Sequence, residues 1–554
     1  MLTRNDAVSY AWKKVPGVRP SLYPALPAIR TVAFPMALTC GDLIKRGRTL
    51  YGGQTALIFE DRRYTFAEQA ARIFRLANGL LAGGLRRQER VAILARNCSE
   101  YIESFGACEV AGFVAINLNS RLAEAELGAI CQDSQPSVLI YAKEFAAIAK
   151  TLAAQVPGIR IRIGIDSENP GDLNYEDLIA KSSAGEPPQE PGPGDIGYLM
   201  YTSGTTGGAK GVMISHAAMA EATRMLSHES VILPTDRALI VMPLFHLGGK
   251  IEQMNFSLMG APVVLKTAFD PDDILQTIQD EKITAAHFAP LMIQRMLDVL
   301  DTKTYDVSTL RCVHYASAPM PVPLLRRALD RMGPIFVQVY GMTECIFGTI
   351  LKPHHHVLDG SEADRRRLAS AGQLPLGNEV KIVRNDGSVC DVGEIGEILF
   401  RSPTVMNGYW NKNVLTAEVT RDGWFHTQDL GFVDEGEFVY VVDRKKDMII
   451  SGGENIYSWE VEEALRAHPD VAEVAVIAIP DQVWGESVKA CVQLRQGRMA
   501  TENDLIEYTR ARIASYKKPR SIDFVESLPR LFNGKIDKKA LRAPYWRGRE
   551  RQVS

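Results

Sequence analysis

Between Tyr198 and Met213 an apolar run breaks into Thr202, Ser203, Gly204, Thr205, Thr206, Gly207 and Gly208, followed by Ala209, Lys210 and Gly211. Glycines let a backbone turn its N–H groups toward an anion, hydroxyls add donors and a lysine adds charge, so the stretch suits a phosphate group. It is not a Walker loop, which needs Gly-Lys followed by Ser or Thr, because Lys210 stands between Ala209 and Gly211. The same residues also suit a flexible surface loop. A second constellation, Tyr340-Gly341-Met342-Thr343-Glu344, follows an apolar run. There a tyrosine can stack on a base, Thr343 can donate to a phosphate, and Glu344 is a hard oxygen ligand for Mg2+. Taken alone, it is equally a strand end with a solvated glutamate.

These residues need elements to position them. Apolar runs predict strands over 91–95, 138–141, 161–165, 238–242, 261–265, 285–289, 311–315 and 335–340. Helical spacing predicts helices over 99–112, 215–225 and 270–281, and from a capped start at Thr65 and Glu68 toward Leu81. This alternation from about residue 90 to 345 implies an α/β fold with a large, mostly parallel sheet system, whose ligands sit beyond the carboxyl ends of strands. From 372 to 443 short strands with turns such as Asn385-Asp-Gly387 predict a small antiparallel β subdomain. After Lys446 a compact α+β region remains, long enough for a separate lid domain. The domains read as an arm over 1–40, a large domain over 41–445 and a lid over 446–554.

At 554 residues the chain exceeds a single compact core. A net charge of −3 gives no electrostatic case for nucleic acid, and no continuous apolar stretch suits a signal peptide or a membrane span. Eight scattered cysteines without a Cys-x-x-Cys pair favour reduced thiols and a cytoplasmic protein. His354-His355-His356 has no carboxylate or cysteine at metal spacing and reads as a solvated loop. There is no Gly-x-Ser-x-Gly elbow and no evident Cys/His dyad, so no nucleophile on the protein itself is indicated. A C2 homodimer is the base-rate expectation for the assembly.

The stretch 198–213, the Tyr340–Cys345 segment, Trp424-Phe-His-Thr-Gln-Asp429, Asp443-Arg-Lys-Lys446 with Ser451-Gly-Gly-Glu454, and Asn533-Gly-Lys535 occur in one order. Together they resemble the adenylate-forming superfamily of acyl-CoA synthetases, luciferases and peptide-synthetase adenylation domains. The likeness spans roughly residues 40 to 540 and is nearest to bacterial-type fatty or aryl acid–CoA ligases. It departs at Ala209 and at Ser458 or Trp459, where the family usually has Pro, and at Gln428, where it has Gly.

The resemblance implies an AMP-forming ligase that joins a fatty, aryl or alicyclic carboxylic acid to coenzyme A through an acyl-adenylate, using ATP and Mg2+. It implies that Thr202 to Gly207 and Lys210 hold phosphates, and that Tyr340 packs on adenine with Ser317, Ala318 and Pro319 along its other edge. Gly341, Met342 and Thr343 complete that nucleotide site. By the same likeness Asp429 takes the ribose hydroxyls, Arg444 contacts ribose or phosphate, Glu344 holds Mg2+, and Lys535 is the catalytic lysine. Lys446 becomes a hinge, and Ser451, Gly452, Gly453 and Glu454 a loop that shapes a thiol tunnel. His246, Gly248, Gly249, Lys250 and Gly341 fall at the acyl pocket. His246 would gate the pocket or touch the carboxylate, and the glycines would leave room. Lys250 would point to solvent or CoA phosphate, or else meet a polar group of the substrate. The rival readings are an acyl-AMP ligase loading a carrier protein, a luciferase-type oxygenase, and a non-catalytic nucleotide-binding regulator.

Overall fold

Parallel strands buried on both faces need continuous apolar runs, and such runs build the two large sheets of the protein. The computed structural model describes residues 38–166, 169–202, 209–318, 320–530 and 535–547. Most of the 1–40 arm, the loop residues Ser203, Gly204, Thr205, Thr206 and Gly207, and Pro319 lie outside the described residues.

The first sheet has seven strands, ordered Leu173–Asn174, Ile161–Ile165, Val138–Ala142, Arg90–Leu94, Val114–Asn117, Ile196–Thr202 and Lys210–Ser215. All its pairings are parallel except the last. The second has eight, ordered Thr349–Leu351, Phe336–Tyr340, Cys312–Tyr315, Ala285–Phe288, Ala238–Ile240, Val263–Leu265, Thr55–Phe59 and Arg62–Thr65. Only its two edge pairings are antiparallel. Ile93 and Tyr198 of the first sheet share one core with Ile240 and Val263 of the second, together with helix residues such as Phe74 and Phe105. The capping box forms as the spacing predicts: Thr65 Oγ1 accepts from the Glu68 N–H at 3.2 Å, and Thr65 N donates to Glu68 Oε2 at 2.8 Å.

An antiparallel sheet follows, built from Glu379–Val383, Gly396–Arg401, Thr420–Arg421, Trp424–Val433 and Val439–Arg444. The fourth sheet contains Ile449–Ser451, Glu454–Ile456, Val471–Asp481, Gly485–Leu494 and Ser521–Phe524. Residues 445–448 join these two sheets. All eight cysteines are free thiols.

Two expectations need correction, and one strand was missed. The helix expected over 215–225 forms as His216–Glu229, but the strand Lys210–Ser215 before it, antiparallel to Ile196–Thr202, was not expected. Val212 and Ile214 are apolar enough to extend the sheet, so the loop joins two strands of a hairpin. His356 is buried rather than solvated, with Nε2 3.0 Å from the Tyr315 hydroxyl and Nδ1 2.9 Å from the Lys352 carbonyl oxygen.

Lys250 is the second correction. It belongs to the helix Leu247–Met259 and is 1% exposed, so it points neither to solvent nor to CoA. Its Nζ lies 2.6 Å from Glu109 Oε1, donates to Gln253 Oε1 at 2.9 Å and sits 4.8 Å over the Phe105 ring. The Tyr198 hydroxyl donates to the same Glu109 oxygen. Helix phase explains the error. At about 100° per residue Lys250 lies about 200° round from Gly248, whereas Glu252 returns to within about 40° of it. Breaking a buried ion pair from one side strands a charge. Lys250→Ala or Glu109→Ala is therefore expected to cost about 3–5 kcal/mol, and the pair Lys250→Met with Glu109→Gln to recover roughly half, read by denaturant unfolding. Single variants as stable as the parent would refute this assignment.

Candidate nucleotide and acid site

Tyr340 ends the strand Phe336–Tyr340, and its hydroxyl donates to Asp429 Oδ2 at 2.7 Å. Burial and the neighbouring carboxylate push the Tyr340 phenol well above its ordinary pKa, so it remains a donor. Asp429 stands opposite Arg444 in the antiparallel register, with Arg444 Nε 3.3 Å from Asp429 Oδ1. The Asp429 side chain is 7% exposed and that of Arg444 48%. Each carboxylate oxygen keeps a further lone pair that can accept from a hydroxyl.

The backbone that turns Asp429 inward passes through Gln428, whose φ is 64°. This left-handed conformation suits glycine and costs other residues about 1–2 kcal/mol. The ladder to Gly396–Arg401 shifts register across it, between the Leu430 and His426 pairings, and Gln428 Nε2 donates to Glu397 Oε1 at 3.0 Å. A bulge of this kind re-aims one side chain, here Asp429. The departure at Gln428 thus keeps the backbone angle at the expense of local strain.

Glu344 lies on the turn between the paired strand ends Tyr340 and Thr349, where the Cys345 N–H donates to the Met342 carbonyl at 3.1 Å. Glu344 Oε1 accepts from the Tyr409 hydroxyl at 2.9 Å, and Lys210 Nζ sits 5.4 Å from the centre of the Tyr409 ring. Tyr409 therefore links the lysine after the glycine-rich loop to the acidic turn. Sequence reasoning missed it. The signal was Gly408-Tyr409-Trp410, whose backbone stitches onto the loop hairpin through Met213 N to Gly408 O at 3.0 Å and Trp410 N to Gly211 O at 2.8 Å. Thr343, Gly341 and Met342 share this turn. Ser317 and Ala318 follow the adjacent strand Cys312–Tyr315, Ser317 with φ 72°.

Lys535 reaches the same place from the far end of the chain. Arg530 and Ile536 pair antiparallel, and Asp537 N donates to the Pro529 carbonyl at 2.7 Å. Asp537 caps the helix Lys538–Arg542. That helix is tied to the residues around 446. Arg542 pairs with Asp447 at 2.8 Å and Lys538 with Glu462 at 2.7 Å. Burial and then the Arg444 cation draw the Lys535 pKa down to about 8, with Asp429 opposing. Lys446 is likewise drawn to about 8 by burial and Arg444. Tyr340, Asp429, Arg444, Lys535 and Glu344 thus form one electrostatic neighbourhood.

The Gly452-Gly453 pair, with φ 62° and 87°, forms the turn between Ile449–Ser451 and Glu454–Ile456. Gly452 N donates to the Trp484 carbonyl at 2.8 Å and Ser451 pairs with Gly485, so these contacts of the turn lie within the C-terminal sheet. Ser458 is buried: its N–H donates to Asp443 Oδ2 at 2.6 Å and its Oγ accepts from Lys538 at 2.6 Å. Trp459 beside it is 40% exposed.

At the acyl end, burial and Arg121 lower the His246 pKa to about 4, leaving a neutral imidazole near pH 7. The room expected from the glycines is present only in part. A Cβ on Gly249 would lie 2.5 Å from the Pro243 carbonyl oxygen, and one on Gly341 2.4 Å from that of Ile346. Both positions are small because backbone passes close by, not to make space for a ligand. Gly248 instead faces a side chain, with His287 Cε1 3.2 Å from its Cβ position.

The AMP-binding enzyme family model matches residues 45–410, and the AMP-binding enzyme C-terminal domain model matches residues 460–535. Feruloyl-CoA synthase of Amycolatopsis sp is 40% identical over 480 residues, covering 86% of this chain and 93% of that protein. Indoleacetate–CoA ligase of Aromatoleum aromaticum is 37% identical over 508 residues, covering 90% and 97%. The crystal structure of ATP-bound MatB from Rhodopseudomonas palustris matches with a TM-score of 0.84 at 28% identity, over 92% of this chain and 99% of that one. The chain therefore belongs to the AMP-binding enzyme family and is an ATP-dependent acid–thiol ligase.

Proposed function

We propose that the chain is an AMP-forming ligase that joins an aryl-substituted carboxylic acid to coenzyme A in the cytoplasm. The aryl class is supported by the feruloyl and indoleacetate relatives. The observation that carries the mechanism is Lys535, placed by the C-terminal hairpin within electrostatic reach of Arg444 and Asp429.

In the first step a carboxylate oxygen of the acid bonds to the α-phosphorus of ATP and pyrophosphate leaves. Asp429 accepts from the ribose, Tyr340 packs against the base, and Arg444 and Lys535 face the charge that builds on the phosphoryl group. A cation fixed where charge develops lowers the barrier more than one that must be recruited. Glu344 suits Mg2+, because it is a partly exposed carboxylate whose Oε1 accepts from Tyr409 and whose other oxygen can take a hard cation. One protein carboxylate completed by substrate phosphates is a usual Mg2+ arrangement, and the ion would supply charge neutralisation on the leaving pyrophosphate. In the second step the thiol of CoA bonds to the acyl carbon, loses its proton, and AMP leaves.

The residues from 446 onward act as a lid in this reading. A turn about Lys446 withdraws Lys535 and brings in the Ser451–Glu454 turn for the thiol, a gating step of a common kind. The present arrangement, with Lys535 near Arg444, supports assigning it to adenylation.

Incubation with ATP, Mg2+ and aryl acids should yield AMP and acyl-CoA only when CoA is present, with acyl-adenylate forming before it. Lys535→Ala should lower acid-dependent pyrophosphate exchange by about 100-fold or more while sparing thioester formation from supplied acyl-adenylate within about threefold. Equal loss of both steps would remove Lys535 from the role given. The charge argument also fixes a pH sign. Lys535 is cationic below about 8 and loses its proton above it, so kcat/KM for pyrophosphate exchange should fall as pH rises through about 8. In Lys535→Arg, whose guanidinium stays charged, the fall should vanish from the residual activity. Persistence of the same fall would assign the titration to another group.

A further inference from the structure

The helix Ser458–Arg466 opens on Ser458, whose N–H is among the first donors of a helix and so has no partner inside it. Proline suits a first helical position for that reason, since it has no N–H to leave unpaired. The proline usual in the family at this point, Ser458 or Trp459 in this chain, fits the same rule. Here the donor is present and used. The Ser458 N–H donates to Asp443 Oδ2 at 2.6 Å, and Ser458 Oγ accepts from Lys538 Nζ at 2.6 Å. Ser458 is buried, so water does not compete for either bond. Lys538 also pairs with Glu462 at 2.7 Å, and Glu462 Oε1 accepts from the Val476 N–H at 2.8 Å, which anchors the group in the C-terminal sheet.

The ends of the Asp443–Ser458 bond lie on opposite sides of Lys446. Asp443 belongs to the strand Val439–Arg444, and its Oδ1 accepts from the Arg444 N–H at 2.8 Å. Arg444 is the cation that faces Asp429. On the other side, Lys538 opens the helix Lys538–Arg542, just after Lys535. Ser458 thus ties the segment that presents Lys535 to the strand end that presents Arg444. Burial raises the Asp443 pKa against the opposing pull of Lys538 and the Ser458 N–H, so this carboxylate depends on those partners. A turn about Lys446 carries Ser458 away from Asp443, and the bond has to open.

We propose that Ser458 is a positioning residue whose N–H latches the lid in the arrangement that serves adenylation, a latch that proline at the same position cannot form. The latch rests on the acid–CoA ligase reading and adds to it a group that sets the balance between the two half-reactions. A hydrogen bond to a charged acceptor counts for more than a neutral one, so its loss shifts that balance about 10-fold or more.

The test compares the full-length enzyme with Ser458→Pro, which removes the N–H and the hydroxyl, and Ser458→Ala, which removes the hydroxyl alone. Tyr457 has φ −85° and ψ 122°, the extended backbone that a residue before proline needs, so Ser458→Pro fits the chain as it stands. Two rates are read: acid-dependent pyrophosphate exchange, and thioester formation from supplied acyl-adenylate and CoA. Ser458→Pro should raise the ratio of the second to the first about 10-fold, and Ser458→Ala should keep it within about threefold of the parent. Asp443→Asn weakens the same bond from its other end, should move the ratio the same way, and decides the matter if thermal melting shows that Ser458→Pro does not fold. An unchanged ratio, with both rates falling together, marks a merely structural role and overturns the latch, as does an equal shift in Ser458→Ala. Trypsin cleavage at Lys445 or Lys446, without substrates, should be faster in Ser458→Pro than in the parent, and equal cleavage overturns the latch. Absence of AMP formation with any acid overturns the ligase reading, and the cleavage rates then decide by themselves whether the Asp443–Ser458 bond restrains the lid.

Discussion

The Asp429 carboxylate is the point at which three separately built parts of the chain meet. A carboxylate withdrawn from water is tolerated only where donors and cations replace its hydration. Here the replacements are the Tyr340 hydroxyl from the eight-stranded sheet, Arg444 from the neighbouring antiparallel strand, and the more distant field of Lys535 from the C-terminal hairpin. Each partner depends on the others. Tyr340 is held as a donor by the carboxylate, and Arg444 is fixed by the register that places it opposite Asp429. Lys535 is lowered by burial and by the same guanidinium. Arg444 and Lys535 both act on the Asp429 carboxylate, while Asp447 and Glu344 also lie in the field of Arg444.

Between the antiparallel sheet and the C-terminal sheet, Asp443 accepts from the Ser458 N–H. The ion pairs Asp447–Arg542 and Lys538–Glu462, and the Lys538 bond to Ser458, lie within the residues after Lys446 and tie the helix that follows Lys535 to the rest of that lobe. Apolar packing in this lobe lies mainly inside the sheet, around Ile449, Val474 and Val488. A lobe held together by its own contacts suits the proposed swap, in which Lys535 and the Gly452-Gly453 turn move as one body.

One helix serves two purposes by its phase. Its Lys250 face completes a core of Glu109, Tyr198 and Phe105, while its Gly248 and Glu252 face looks toward His287 and His314. The buried ion pair on one side anchors the helix, and the absent side chain at Gly248 lets the His287 ring pack close on the other.

Local chemistry was legible from the residues alone. The Thr65 and Glu68 capping box, the alternating strands and helices, the antiparallel turns after 372, and the Tyr340–Glu344 segment all depend on backbone propensity and near neighbours. The order of the motifs was enough to recognise the family. Other features required the folded chain. Val212 and Ile214 became a strand because the edge of Ile196–Thr202 was there to pair with. Gln428 adopted a glycine-like angle because Asp429 had to turn inward. Lys250 went into the core and Glu252 met a histidine 62 positions away, because helix phase and strand register, set by packing between distant segments, decide where a side chain points. Sequence alone determined which chemical groups the protein owns. Only the tertiary structure decided which of them share a dry, low-dielectric space, where their charges and hydrogen bonds act on one another.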